Sequence, residues 1–216
     1  MIVKPFFLLL LCVVLSTATS AEKDPQQVVK QTADAVLNEV LERKAELEAD
    51  SSLIYPLIEK SMKSRLDLKR ITRSAMGRFW RKASIAQQQR LVAEFEQLLI
   101  RTYAIALLSY SGQEIEYPAT RFAEDAKQVT VPSRVKNVGA PAIPIDYRLY
   151  LTDEGNWLVY DVVIDNVSLV TTYRSSFMAE IRQGSAKAKA GESRMSVGID
   201  HLIASLAAKN AQKKQP

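Results

Sequence analysis

Cysteine is almost absent from this 216-residue chain, which has a single one, Cys12. It sits inside an apolar leader, so the exported chain is expected to carry no thiol at all. That excludes disulfide staples and cysteine-ligated metal. Histidine is as scarce: His201 stands alone, and the usual zinc sets need several nitrogen or sulfur donors at close spacing. Seven glycines in the whole chain leave little for a phosphate cradle. The chain contains no Gly-x-Ser-x-Gly elbow and no His-Glu-x-x-His pair. Beyond the leader, charged residues interrupt every apolar run, so no transmembrane helix is expected.

The leader occupies residues 1–21. Lys4 supplies the positive region, Phe6 to Leu15 the apolar stretch, and Thr19-Ser20-Ala21 a small-residue cleavage site. That stretch is about half the ~20 residues a membrane span needs. Cys12 follows Leu11 rather than a small residue, which argues against a lipidation site. Cleavage after Ala21 and export to a bacterial periplasm are the expectation. Removing Lys4 takes the net charge from +5 to +4. Basic residues are scattered, with small clusters at 60–73, 187–189 and 213–214. They read first as solvated surface, and second as a weak attraction for anionic lipid or an acidic partner. Nucleic acid is excluded as a partner by the compartment and by the lack of aromatics interleaved with the cations.

The rest of the chain is helical, then strand-rich, then helical again. Val29, Ala33, Val36, Leu37, Val40 and Leu41 recur at helical spacing and predict a first helix over residues 25–49, with Pro25 near its start. Leu53 to Ile58 marks a shorter second helix, and Leu68 to Trp80 a third. Ser84-Ile85-Ala86-Gln87 has the form of a capping box and opens a long helix to Tyr110, stopped by Gly112. Its second half, Tyr103 to Leu108, is apolar all round and is expected to be buried on every side. Strand patterns cover 127–138, 142–151 and 157–164, with 115–122 either a short strand or an irregular lead-in, and the short connections of the last three strands predict an antiparallel meander. Thr172 or Ser175 is expected to cap the next helix and Gly184 to end it. Ser185 to Val197 reads as a surface loop before a last amphipathic helix around Ile199 to Leu206. Residues 22–210 are thus expected to form one α+β domain, followed by a flexible tail at 211–216.

The segment Trp157 to Ile164 is apolar on nearly both faces. Leu158, Tyr160, Val162 and Ile164 fall on one face, and Trp157, Val159 and Val163, with Asp161 as the polar exception, on the other. Such a strand needs cover on both sides or lines an apolar cavity. Asp146, Asp161 and Asp165 lie on or beside strands, where a carboxylate in an apolar pocket can act as a general base. An isolated strand carboxylate more often accepts hydrogen bonds from a nearby arginine, tyrosine or loop amide.

Phe79-Trp80-Arg81-x-Ala83-Ser84-x-x-Gln87 runs into the helix Phe95…Leu98-Leu99…Thr102-Tyr103-Ala104…Leu107-Leu108…Tyr110. Asn156-Trp157…Tyr160-Asp161-Val162 and Val167-Ser168-Leu169-Val170…Tyr173-Arg174…Phe177 follow in order. In motif order and spacing the chain resembles the MlaC family, periplasmic phospholipid-binding proteins also called toluene-tolerance auxiliary proteins. The resemblance implies a curved antiparallel sheet of about four strands, wrapped by helices around a deep apolar pocket for acyl chains. It also implies a monomeric shuttle that takes phospholipid between an outer-membrane lipoprotein complex and an inner-membrane ABC transporter bearing an MCE-domain subunit. No catalysis and no cofactor other than the bound lipid are implied. Ala75-Met76-Gly77 stands where members often have Val-Leu-Gly, and 184–198 is a longer approach to the last helix. Bulky uncharged residues of the long helix and the sheet then become the candidate lining: Phe79, Tyr103, Leu107, Tyr147, Leu149, Tyr160, Val162 and Ile164. The rival readings are a small enzyme with an aspartate base, and a ligand-free structural adaptor.

Overall fold

The computed structural model describes residues 24–123, 125–137 and 139–212. The expected leader at 1–21 and the tail residues 213–216 lie outside these described residues. Helix α1 spans Pro25–Glu42, opened by the Asp24 carboxylate, which accepts from the Gln26 N–H at 2.9 Å. The single helix expected over 25–49 is in fact two. The chain breaks at Arg43, whose guanidinium reaches back to Glu39 and forward to Glu46, and α2 follows over Lys44–Ala49. Helix α3 is Ile54–Arg65, and α4 is Leu68–Met76, capped by Asp67. A 3-10 turn over Gly77–Lys82 leads to α5, Ile85–Leu108. The capping box predicted at Ser84 is present in both directions: Gln87 N–H donates to Ser84 Oγ, and Ser84 N–H donates to Gln87 Oε1.

Five strands follow, in sequence order across one antiparallel sheet: β1 Ile115–Glu116, β2 Gln128–Asn137, β3 Ala140–Leu151, β4 Trp157–Ile164 and β5 Val167–Ser168. The short β5 was not anticipated. Asp165 and Asn166 join it to β4 with φ of 48° and 64°. Two consecutive left-handed residues make the tight hairpin turn whose twist matches the strands, and Asp and Asn tolerate that backbone better than other non-glycine residues. The β3–β4 register shows a bulge. Arg148 pairs with Asp161 but Leu149 pairs with Val159, so Tyr160 is an extra residue. It corrects the expected faces of β4. Trp157, Val159, Val162 and Ile164 share the inner face, while Leu158, Tyr160, Asp161 and Val163 share the outer one.

Helix α6 starts at Leu169, earlier than expected, because Ser168 Oγ caps it by accepting from the Thr171 N–H at 3.1 Å. It runs to Ser185 and passes straight through Gly184. Helix α7 then spans Arg194–Gln212, so the expected loop at 185–197 shrinks and the expected tail begins inside a helix. Gly184 does not stop α6. A Cβ there would lie 2.3 Å from His201 Cβ and 2.9 Å from Gly198 Cα. The residue is a close-packing glycine where α6 crosses α7.

Candidate functional site

The inner face of the sheet is apolar along most of its length, with buried Ser133 the exception, but its cover is uneven. Val129, Leu149 and Val159 pair across the strands, and next to them Val131, Tyr147 and Val162. Val28 and Val29 of α1 pack on Val129, Val131, Leu149, Trp157 and Val159, which are all buried. One step further along the same face, Ile145 and Ile164 are only half-buried, and beyond them Ile143 is 40% exposed. Apolar side chains continue after the helical cover has ended. Leaving such surface wet forfeits about 25 cal/mol per Å².

The second half of α5 has the same character. Ile100 and Ala104 are buried with α3, yet Leu107 and Leu108 are half-buried and Ile105 is 60% exposed. The all-round burial expected of Tyr103 to Leu108 is therefore absent. Its apolar surface has more sides than the protein has partners to cover them.

Buried side chains usually form one contiguous core per domain, with small satellites. Among the described residues they form three clusters: α4–α7 with the 3-10 turn, α1 with the sheet, and α1–α3 with the end of α5. Tyr103, Tyr147, Val162, Leu66 and Leu107 border these clusters without being fully buried. Tyr147 is the most telling of them. Enough protein surrounds its phenol for burial to push the pKa up, against the opposing effect of the Ser133 hydroxyl. Even so, the side chain keeps accessible surface. Tyr147 thus lies where the packed cluster gives way to the less covered part of the sheet. Burial also pushes the Tyr103 phenol up to about 12, with Tyr173 beside it adding to the shift. It pushes Tyr117 up as well, and the Tyr117 hydroxyl finds no hydrogen-bond partner among the described residues.

The sequence-predicted lining residues separate into groups. Tyr147, Val162 and Ile164 share the inner face, and Tyr103 and Leu107 project from α5. Leu149 lies on the same inner face but is fully buried under α1. Phe79 sits in the helical cluster at 5% exposure, with the Arg78 guanidinium 5.1 Å from its ring. Tyr160, displaced by the bulge, is on the outer face, where its hydroxyl meets Gln128 Oε1 at 3.2 Å and Arg70 lies 4.9 Å from its ring. Ile145, on the inner face opposite Ile164, and Tyr117, packed against the α1–sheet cluster, are half-buried residues outside the candidate lining. Ile145 was legible from its alternation with Tyr147, whereas Tyr117, in an irregular lead-in, carried no signal.

The outer face holds the polar counterpart. Asp161, 5% exposed, accepts from Arg148 Nη1 at 3.0 Å, Ser168 Oγ at 2.7 Å and the Val170 N–H at 3.1 Å. With three donors already on it, this carboxylate fixes the start of α6 to the sheet and is not poised as a base. His201 Nε2 lies 3.5 Å from Glu180 between α6 and α7. Among the described residues no cluster of His, Cys, Asp and Glu suits a metal ion, and no helix is long and apolar enough to cross a membrane.

The chain is similar over most of its length to proteins of one kind. It is 26% identical to the toluene tolerance protein ttg2D of Pseudomonas putida, over 79% of each chain. It is 22% identical to the intermembrane phospholipid transport system binding protein MlaC of Haemophilus influenzae, over 69% of this chain and 71% of that one. The solved structure of a phospholipid-binding protein from Ralstonia solanacearum, in complex with a phospholipid, superposes with a TM-score of 0.77 at 34% identity. That match covers 89% of this chain and 99% of the other. The profile of the MlaC protein family matches residues 30–208, and the chain belongs to the MlaC family.

Proposed function

We propose that this protein is a periplasmic phospholipid carrier whose acyl chains lie between the uncovered half of the inner sheet face and the second half of α5. The carrying observation is the withdrawal of helical cover along one continuous apolar face, from fully buried Leu149 through Tyr147 to half-exposed Ile143. Membership of a phospholipid-binding family and the lipid held by the Ralstonia relative support the same reading. Tyr147, Val162, Ile164, Tyr103 and Leu107 line the proposed pocket. Leu149 and Phe79 serve as packing behind it, and Tyr160 takes no part. In this reading residues 1–21 are removed on export, and residues 22–210 form the lipid-binding unit.

Energetics constrain the mechanism. Each buried CH₂ contributes about 0.8 kcal/mol, so two acyl chains bring on the order of 20 kcal/mol relative to water. Unassisted release is then extremely slow. Exchange must occur in a docked complex, where the chains pass from one apolar cavity to another at little net cost. The partners in this scheme are an outer-membrane lipoprotein complex and an inner-membrane ABC transporter with an MCE-domain subunit, and the direction comes from the partner or from ATP.

Organic extraction of the gently purified mature protein, followed by mass spectrometry, is expected to yield stoichiometric phospholipid. A blank extract would overturn the carrier reading. Val162→Trp places an indole in the proposed pocket, and it is expected to lower the lipid recovered by about tenfold or more while leaving the far-ultraviolet circular dichroism unchanged. A folded variant that still carries full lipid would show that Val162 does not face the chains. Labelled lipid should stay on the protein in plain buffer and leave only on addition of an acceptor, and rapid loss into buffer would rule out exchange by docking.

A further inference from the structure

The helical half of the molecule carries concave features of its own, separate from the sheet. Where the 3-10 turn meets α6, a groove of about 410 Å³ is lined by Met76, Gly77, Arg78, Arg174, Met178 and Arg182. A second, of about 470 Å³, is lined by Phe79, Arg81, Lys82 and Met195 and shares Arg78 with the first. The two grooves adjoin at Arg78 and are treated together as one trench. Its rim holds five cations and no carboxylate, and its floor holds three of the chain's five methionines.

The trench is built, not accidental. Arg174, Met178 and Arg182 follow one another at four-residue spacing along α6, so they form one stripe. At 1.5 Å per residue that stripe is about 12 Å long, or two helical turns. Arg174 is held at the rim by donating Nε and Nη2 to the Ser74 carbonyl, at 3.0 and 2.8 Å. Gly77, with φ of 55°, turns the backbone so that Arg78 leaves α4 toward the stripe, a conformation side-chain-bearing residues rarely adopt. Elsewhere on the surface Lys30, Arg43, Lys63 and Lys136 each pair with a carboxylate. Among the described residues none of the five rim cations does.

We propose that this trench docks an acidic, amphipathic segment of a protein partner, with apolar anchors on the methionine floor and carboxylates on the arginine rim. Methionine floors adapt to differing anchors and suit peptide recognition. Arginine supplies the planar fork that carboxylates match. A flat anionic bilayer is the less suitable occupant, because the apolar groups lie at the bottom of a recess. The chain's own terminal Lys213 and Lys214 carry the wrong charge to fill it.

The test uses a fluorescein-labelled 18-residue peptide of about four turns, with leucines on one helical face and glutamates elsewhere, titrated against the full mature protein by anisotropy. Saturable binding is expected, weakened by added salt and weakened about tenfold or more by the double variant Arg78→Glu/Arg182→Glu. Both positions are exposed, so the variant should keep its circular dichroism and its extractable lipid. The proposal is overturned if the peptide fails to bind, if the double variant binds it as well as the parent, or if the variant's defect appears only on vesicles containing anionic phospholipid. Lipid measured in the same samples keeps this outcome distinct from failure of the carrier reading.

Discussion

Asp161→Ala should lower the unfolding free energy by about 3 kcal/mol, seen as a fall in the urea midpoint with little change in slope. The carboxylate is 5% exposed and serves three donors at once. Truncation leaves the Val170 N–H, itself on a buried residue at the second position of α6, without an acceptor. A buried donor left unmade costs about 1–3 kcal/mol, and the lost negative charge at a helix N-terminus adds about 0.3–1 kcal/mol. The Arg148 contribution is smaller, because that side chain is 44% exposed and returns to water when its partner goes. Asp161→Asn should therefore fall between: its amide oxygen still accepts from Val170, while its NH₂ faces Arg148. Arg148→Ala should cost least, under about 1 kcal/mol. An Asp161→Ala variant within about 1 kcal/mol of the parent would mean that the carboxylate is not what anchors α6. None of the three changes touches the inner face, so bound phospholipid should persist in each.

The contrast between Asp161 and Tyr160 shows what could be read from the sequence. Local chemistry was legible. Ser84 and Gln87 sit three apart and cap α5 reciprocally, and alternating apolar residues placed β2, β3 and β4 to within two residues at either end. Asp161 as a hydrogen-bond acceptor for a nearby arginine was legible from its lone position on an apolar strand, while its helix amide and serine partners were not. The bulge was not. Tyr160 and Asp161 keep a regular alternation in sequence, and only the pairing of Leu149 with Val159 shows that one residue has been skipped. That single extra residue moves Tyr160 to the outer face and brings Val162 into line with Val159, which is why one expected lining residue is elsewhere. Long-range partners were equally hidden. Phe79 looked like pocket lining because it is aromatic and adjoins the long helix, yet it packs among α4–α7 below the arginine rim. Apolarity marks what leaves water, and the partner that covers it is set by segments a hundred residues away.

Gly184 carries the sharpest disagreement between the local and the packed reading, and it makes the sign of a mutation decisive. If Gly184 were an ordinary interior position of α6, Gly184→Ala would be harmless or would stabilise by up to about 1 kcal/mol through helix propensity. The crossing with α7 predicts the reverse. An added Cβ would stand 2.3 Å from His201 Cβ, an atom no rotamer change can move. At Gly198 the new methyl would meet Ser185 Oγ at 2.3 Å and the Ile181 carbonyl at 2.5 Å. The hydroxyl can swing aside but the carbonyl belongs to the α6 backbone, so the two helices must separate. Separation pulls Phe177 and Ile181 away from the cluster they share with Ile199 and Leu202, all four essentially inaccessible. Overpacking of this kind costs about 1–3 kcal/mol, more than the propensity gain, so each alanine should destabilise on balance by about 1–2 kcal/mol. The two glycines face each other, with a Gly184 Cβ only 2.9 Å from Gly198 Cα. One displacement of α7 accommodates both methyls, so the double variant should lose less than the sum of the singles. Urea melts of the two single variants and the double decide the matter: a Gly184→Ala protein as stable as the parent would mean that the crossing does not depend on the missing side chain, and strict additivity would mean that the two sites relax independently.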